Sequence, residues 1–303
     1  MKYAFFKGKI IPFEQAKIGI MTHAFNYGTG VFEGIRGYWN EAKKQMFILK
    51  LKEHYERLFR SAAALKIKIK YSLEELQQIT IEVAKRNGYQ EDIYIRPIAY
   101  KSQEKIGLGL TGIEDDFCLY VSPFGAYLDI SKGIRICISS WRRIGAQSLP
   151  QGAKICGAYV NSSLAKAEAI EKGYDEALLL SPEGTVAEGS GENLFLVKNG
   201  QLITPPLEEI ILPGITRLAI MELAEKELGI KTTEKFLQKS DLFEADELFF
   251  CGTGAQVSPI IEVDGVKIGS GSMGPLTKKL QELYFKAAKG DDPKYLNWVT
   301  PAY

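Results

Sequence analysis

Gln151-Gly152-Ala153-Lys154-Ile155-Cys156-Gly157-Ala158-Tyr159-Val160-Asn161-Ser162-Ser163 is the stretch around which the rest of the chain is organised. It sets one lysine, Lys154, among small and apolar residues, with Tyr159 a little further on. A strand-like run, Ile134-Arg135-Ile136-Cys137-Ile138, precedes it, and a helix-like run from Leu164 to Glu171 follows. A lysine in such surroundings loses hydration, which disfavours its charged form. A neutral amine attacks carbonyl carbon, and Schiff-base formation is the usual chemistry of such a lysine. The competing reading is a surface lysine whose stem covers apolar atoms while its head reaches water. The remainder of the chain decides between the two.

With 303 residues the chain fits two domains, since single hydrophobic cores stop growing near this size. Its 46% hydrophobic and 25% charged residues are ordinary globular values. A net charge of +1 leaves no basic excess for nucleic acid. Cys118, Cys137, Cys156 and Cys251 lie far apart without a CxxC pair, which argues against zinc and redox motifs and for reduced, mostly buried thiols. His23 and His54 form neither HExxH nor a recognisable catalytic turn, so no metal site and no Ser-His-Asp triad is expected. No run of 18 apolar residues and no leader-like segment is seen, and the expectation is a cytoplasmic protein without membrane or nucleic-acid partners.

Residues 1–51 read as short strands, with Met46 to Leu51 the last of them. Among them, Asn26 to Gly37 holds four glycines but is neither G-x-G-x-x-G nor a P-loop. A helix is predicted from Lys52 to Leu65, and Ser72-Leu73-Glu74-Glu75 is a capping box for a second ending near Asn87-Gly88. Residues 92–100 predict a strand whose period of two puts Tyr94 and Arg96 on one face and Ile93 and Ile95 on the other. A further strand, Phe117 to Ser122, runs into the Pro/Gly cluster Pro123-Phe124-Gly125-Ala126-Tyr127. That cluster marks a domain boundary around 123–133. Glu176 to Leu180 is an apolar strand, and Glu188 lies in a second glycine-rich stretch that reads as a turn. Asn199-Gly200 and Asp264-Gly265 are hairpin signals. Leu212-Pro213-Gly214-Ile215-Thr216 opens a helix to about Gly229. Glu247 to Cys251 and Gln256 to Val263 are strands split by Gly252-Thr253-Gly254, and Pro275 to Ala288 is a last helix.

These pieces form a constellation. Lys154 is a candidate Schiff-base lysine with Tyr159 nearby, Glu188 is a carboxylate among glycines, and Ile215 and Thr216 offer amides at a helix start. Arg57 is a phosphate partner by charge and fork geometry, and helix N-terminal amides suit phosphate. A phosphate anchor, a Schiff-base lysine and an acid for a ring nitrogen are the requirements of pyridoxal 5'-phosphate. Singly each is weak: Arg57 alone reads as a surface ion pair, and Glu188 alone as a turn carboxylate.

Tyr27-Gly28-Thr29-Gly30-Val31-Phe32-Glu33-Gly34-Ile35-Arg36, Tyr94-Ile95-Arg96-Pro97, Gly125-Ala126-Tyr127-Leu128, Ala153-Lys154, Glu188 to Phe195 and Leu212 to Arg217 occur in one order. In that order they resemble the branched-chain amino-acid aminotransferases, fold-type IV pyridoxal phosphate enzymes. The resemblance covers nearly the whole chain. It implies an α/β chain of the α+β type. A small N-terminal α/β sandwich would occupy residues 1–122, an interdomain loop 123–133, and a larger cofactor-binding domain around a barrel-like β-sheet 134–303. It also implies that Lys154 holds the cofactor and moves the substrate proton, and that Glu188 pairs with the ring nitrogen. Tyr159 would bond the ring oxygen, while Arg57, Ile215, Thr216 and Thr253 hold the phosphate. Tyr94, Thr253 and Gly254 would receive the α-carboxylate, and Phe32, Tyr27 and Tyr127 wall an apolar pocket. Arg96 would pair with the distal carboxylate of glutamate. The implied reaction exchanges amino groups between leucine, isoleucine or valine and 2-oxoglutarate, in a homo-oligomer whose site is completed by a neighbour's loop. Lys105 to Leu110 is the candidate for that loop.

Phe124 stands where the family often has Trp, and Gly254 where alanine is common, and both bear on side-chain preference. A D-amino-acid aminotransferase or an aminodeoxychorismate lyase would share Lys154 and Glu188, and Tyr94-Ile95-Arg96-Pro97 with Gly34-Ile35-Arg36 argues against both. A non-catalytic ligand-binding protein built on the glycine-rich turns is the rival from another class.

Overall fold

Ile93, Ile95 and Ala99 are fully buried while Tyr94, Arg96 and Ile98 between them are not, the alternation of a strand with one face on a core. That strand centres the first of two units in the computed structural model, which describes residues 1–303. The first unit comprises Met1–Gly125, Ala153–Ala158 and Lys286–Tyr303; the second, Ala126–Gly152 and Tyr159–Phe285. The change of unit after Gly125 lies inside the 123–133 stretch.

The first unit contains strands β1 (Tyr3–Phe6), β2 (Lys9–Pro12), β3 (Gly30–Phe32), β4 (Ile35–Asn40), β5 (Gln45–Leu49), β6 (Ile93–Lys101) and β7 (Asp115–Pro123). Its helices are α1 (His23–Tyr27), α2 (Leu51–Ala64) and α3 (Leu73–Asn87). The sheet order is Val299–Pro301, β5, β4, β6, β7, β1, β2, with β3 also on β6. The C-terminal residues therefore group with this unit through Val299–Pro301 on β5. Tyr55, Leu58 and Ala62 of α2 and Leu76 and Val83 of α3 pack with Ile35, Ile48, Ile95 and Leu119 as its core. The Ser72 capping box forms, with both reciprocal hydrogen bonds. The strand expected to reach Leu51 ends at Leu49, because Lys50 takes a left-handed conformation (φ 51°) and turns Leu51 into the core as the first residue of α2. The Asn26–Gly37 stretch contains the end of α1, all of β3 and the start of β4. Its glycines serve close approach: a Cβ on Gly34 would come within 2.0 Å of Tyr94 Oη.

The second unit contains β8 (Ile134–Arg142), β9 (Glu176–Leu180), β10 (Val186–Gly189), β11 (Asn193–Lys198), β12 (Gln201–Thr204), β13 (Thr233–Glu234), β14 (Glu247–Gly252), β15 (Gln256–Val263) and β16 (Val266–Lys267). Its helices are α4 (Tyr159–Glu171), α5 (Ile215–Leu228), α6 (Lys239–Phe243) and α7 (Pro275–Ala288), the last running on into the first unit. The order β10-β9-β8-β15-β14-β11, with β11 pairing back to β10, closes a six-stranded barrel. Closure leaves those six strands without an open edge. Ala165 and Ala169 of α4 pack on Cys137, Ala177 and Leu179. The alternate residues Ile136, Leu178 and Leu180 join Leu194, Leu196, Leu248 and Phe250 in the larger cluster. The hairpin turns form as expected, with positive φ at Asn199 and Gly200 and at Asp264 and Gly265.

Candidate active site

In the first unit, Lys154 is reached through its backbone. Its N–H donates to Ser61 Oγ (3.0 Å) on α2, and its carbonyl accepts from the Phe32 N–H (3.1 Å) at the end of β3. The side chain is 9% exposed, and Nζ lies 4.9 Å from the centre of the Phe32 ring. The residue as a whole is buried, which argues against the surface-lysine reading. Phe32 also lies 4.4 Å from the Arg96 guanidinium. Arg96 in turn donates from Nη2 to Tyr94 Oη (2.9 Å). The structure thus brings Lys154, Phe32, Arg96 and Tyr94 together, with Phe124 beside Tyr94 (ring centres 5.0 Å apart). Phe124 is itself backed by the buried Arg36, whose Nη2 donates to the Phe124 and Gly125 carbonyls (2.8 and 2.6 Å).

Tyr27 ends α1 and stands next to the 105–110 segment, where its hydroxyl accepts from the Gly107 N–H (3.2 Å). His23 holds the same segment, with Nε2 2.8 Å from the Gly107 carbonyl oxygen and Nδ1 2.7 Å from Thr29 Oγ1. Arg57 is 3% exposed on α2, so it is no surface ion pair. Its Nε and Nη2 donate to the two oxygens of Glu33 at 2.7 Å each, and His54 Nδ1 lies 2.7 Å from Glu33 Oε2. Burial would raise the Glu33 carboxyl, but the Arg57 charge and the hydrogen bonds from Arg57 and His54 hold it down to about 2. Burial pushes His54 below its ordinary value, against the opposing pull of Glu33, so the ring is neutral at neutral pH.

In the second unit, Glu188 lies on β10, opposite Asn193 of β11, and not in a turn as expected. The Gly-Ser-Gly sequence after it misled the reading: it is the connection between two paired strands. Three donors converge on the Glu188 carboxylate: Asn193 Nδ2 (3.0 Å) and the Leu212 N–H (3.1 Å) on Oε2, and Arg143 (2.8 Å) on Oε1. Asn193 also donates to the Leu212 carbonyl (3.0 Å), tying Glu188 to the loop that leads into α5. That loop ends at Gly214, the N-cap of α5, where a Cβ would collide with Asn193 Oδ1 at 1.9 Å. With glycine there, no side chain caps the helix and no acid stands in its first turn. The buried Ile215 and Thr216 amides therefore begin a helix whose positive end is suited to an anion. Tyr159 is the first residue of α4, which starts earlier than the Leu164 run predicted because Ser162, Ala165 and Ala169 share its buried face. Thr253 and Gly254 occupy the turn between β14 and β15, and a Cβ on Gly254 would meet Tyr127 Cδ1 at an ordinary 3.8 Å. Tyr127 also stacks with Lys166, whose Nζ is 5.2 Å from its ring centre.

Sequence reasoning did not single out Glu33, His54, Ser61, Arg143 or Asn193 for the site. One signal was present: polar residues at 54, 57 and 61 interrupt the apolar stripe of α2 at helical spacing.

The amino-transferase class IV family model matches residues 30–263. A probable branched-chain-amino-acid aminotransferase of Aquifex aeolicus is 52% identical over 303 residues, covering 100% of this chain and 97% of its own. Among solved structures, a branched-chain aminotransferase of the archaeon Thermoproteus uzoniensis, crystallised with norvaline, superposes with a TM-score of 0.95. It is 43% identical, with 99% of each chain covered. The branched-chain amino acid aminotransferase of Thermobaculum terrenum in its PLP form also gives 0.95, at 37% identity, covering 100% of this chain and 98% of that one.

Proposed function

We infer the reaction from one premise: the chain belongs to the class IV aminotransferase family. It is a pyridoxal 5'-phosphate-dependent branched-chain amino-acid aminotransferase. It moves the amino group of L-leucine, L-isoleucine or L-valine to 2-oxoglutarate, giving the branched-chain 2-oxo acid and L-glutamate. The observation that carries the reading is the buried Lys154 amine over the Phe32 ring, with the Arg96 guanidinium over that same ring. An apolar ring flanked by an amine and a cation suits a substrate site that takes an aliphatic side chain in one half-reaction and a distal carboxylate in the other.

The residues present fit the cofactor. Lys154 is the buried amine that would bind it. Glu188, held by three donors, would face the ring nitrogen as a carboxylate. Tyr159 would bond the ring oxygen. Arg57, Thr253 and the Ile215 and Thr216 amides would hold the phosphate, the last two at an uncapped helix start. When bound, pyridoxal phosphate supplies an aldehyde for the amino group and a ring that delocalises the electron pair left at Cα. Lys154 Nζ would carry the proton between the substrate Cα and the cofactor carbon C4′ that receives the amino group. Tyr94, with Thr253 and Gly254, binds the α-carboxylate. Arg96 pairs with the distal carboxylate of glutamate, and Phe32, Tyr27 and Tyr127 wall the aliphatic side chain.

The protein works as a homo-oligomer in the cytoplasm. Ile20, Phe25, Ile106 and Leu108 are 84, 68, 77 and 78% exposed on segments that the Thr22–Glu104 bridge joins, and clustered exposed apolar side chains mark interaction surfaces. No helix is long and apolar enough to cross a membrane. Charge substitution at Ile106 and Leu108 should give a monomer by analytical ultracentrifugation that keeps its cofactor and loses activity. A fully active monomer would remove the shared-site reading.

The decisive experiment is a visible spectrum before and after L-leucine, then borohydride, with Lys154→Ala beside the wild type. A yellow protein whose band shifts with L-leucine, and which loses its borohydride-fixed label in the variant, supports the reading. Indifference to L-leucine, or a response to D-leucine instead, sinks the substrate; no colour after added cofactor sinks the enzyme.

A further inference from the structure

Helix α2 presents His54, Arg57 and Ser61 on one face, at helical steps of three and four residues. That face is also its core face, with Leu51, Tyr55, Leu58 and Ala62 interleaved. Polar groups on a core face need partners, and the partners are specific. Ser61 takes the Lys154 N–H; Arg57 and His54 both take Glu33. Glu33 is itself anchored by its backbone, whose N–H donates to the Pro97 carbonyl (3.0 Å) one residue beyond Arg96.

A buried ion pair is a poor stabiliser, since well-packed apolar residues of similar volume do as well or better. What the pair does provide is orientation. Glu33 engages Nε and Nη2 of Arg57, which fixes both the plane and the rotation of the guanidinium. His54, on the adjacent turn, fixes the carboxylate that does the fixing. We propose that Glu33, held by His54, is a positioning residue that aims the Arg57 guanidinium at the phosphate of the cofactor. This rests on the reading of Arg57 as a phosphate anchor.

Glu33 has two effects of opposite sign. Its orientation of Arg57 favours a phosphate, while its negative charge opposes one. The proposal is that orientation wins. It is tested on the full chain by measuring dissociation constants for pyridoxal 5'-phosphate and for phosphate-free pyridoxal; the pyridoxal constant divided by the pyridoxal phosphate constant isolates the phosphate site. In Glu33→Gln, which keeps the shape and removes the charge, that ratio should fall by about tenfold or more, with the pyridoxal constant changing less than about twofold. Glu33→Asp, which keeps the charge and withdraws it by one methylene, should lower the ratio as well. The phosphorus resonance of the bound cofactor should shift in both.

Tighter pyridoxal phosphate binding in Glu33→Gln overturns the proposal, because Glu33 would then only offset charge. Equal weakening of both ligands overturns it too, as the mark of a merely structural residue. If Glu33→Gln does not fold, His54→Asn should still lower the ratio by about threefold, and an unchanged ratio there counts against positioning. A wild type that binds both ligands equally defeats the phosphate role of Arg57 first. A wild type that discriminates beside variants that discriminate equally defeats positioning alone.

Discussion

Glu33 in the first unit and Glu192 in the second are both buried, yet they behave as opposite kinds of acid. Glu33 has two partners, Arg57 and His54, and is held to about 2 although burial alone would raise it. Glu192 is driven the other way, up to about 8, by burial and by the charge of Glu176. The Gly191 N–H and Lys166 pull against this, and Glu188 adds to it. The Lys166 ammonium is already engaged by Glu176 at 2.8 Å, so little of its charge serves Glu192. Burial is common to both acids; the cation within bonding distance differs. One region therefore holds a permanent anion with which to fix a cation, and the other holds a proton at neutral pH.

The largest break in this comparison comes from removing the paired acid. Glu33→Ala removes the carboxylate that the buried Arg57 guanidinium engages, and breaking a buried pair from one side costs about 3–5 kcal/mol. Urea unfolding followed by circular dichroism should show that loss, with Arg57→Ala costing a similar amount. The double variant should cost clearly less than the sum, since the second removal relieves the charge stranded by the first. Additive losses would mean that the two groups do not act as a pair.

Much of this arrangement was legible in the sequence. The period of two along Ile93–Lys101 put Tyr94 and Arg96 on one face, and the structure links them by a hydrogen bond. The Ser72 box, the Asn199-Gly200 and Asp264-Gly265 turns and the barrel strands β8, β9, β14 and β15 could be read because each depends on neighbours in sequence. Barrel closure could not, because β8 on β15 and β10 on β11 are pairings that no local pattern encodes. Glu33 escaped notice for a related reason. It sits between Phe32 and Gly34 in a glycine-rich motif, and its partners on α2 lie beyond the two intervening strands β4 and β5. Glu188 reads as a turn carboxylate because Gly189-Ser190-Gly191 resembles a loop and the ladder from Glu188 to Asn193 does not show in composition.

The unpaired acid supplies the next test. A carboxyl that binds its proton more tightly when folded contributes stability below its ordinary value of 4.5, and that contribution is lost as pH rises through about 8. Between pH 6 and 9 the wild type should lose about 3 kcal/mol on this account. Glu192→Gln, an amide in place of the protonated acid, should lose none of it. The variant should match the wild type near pH 6 and exceed it near pH 9. Parallel stability curves would show that Glu192 is not the group responsible.

Acid pH sharpens the other side. Glu33 binds its proton less tightly when folded, so its contribution is present above 4.5 and lost as pH falls toward about 2. His54, also depressed, contributes above its ordinary 6.5 and loses that contribution as pH falls below it. The first unit should therefore weaken in two stages on acidification, the upper one belonging to His54. His54→Asn, which keeps a side-chain N–H toward Glu33 but cannot take up a proton, should remove the upper stage. Its cost at neutral pH should be about 1–2 kcal/mol, from imperfect reach to the carboxylate.

The smallest effect belongs to Ser61, the one member of the α2 stripe that engages the Lys154 backbone and not Glu33. Its hydroxyl accepts the backbone N–H of Lys154, so Ser61→Ala leaves that amide buried without its partner, at about 1 kcal/mol or somewhat more. Stability is the less informative readout. The Ser61 bond fixes the backbone from which the Lys154 side chain projects, and a displaced amine should slow proton transfer at Cα more than it weakens substrate binding. The expected signature is a lower kcat with KM little changed, together with a larger isotope effect when the substrate carries deuterium at Cα. A Ser61→Ala enzyme with unchanged kcat and isotope effect would confine the functional part of the stripe to the members that engage Glu33. The contrast with Glu192 would then rest on ionic pairing alone.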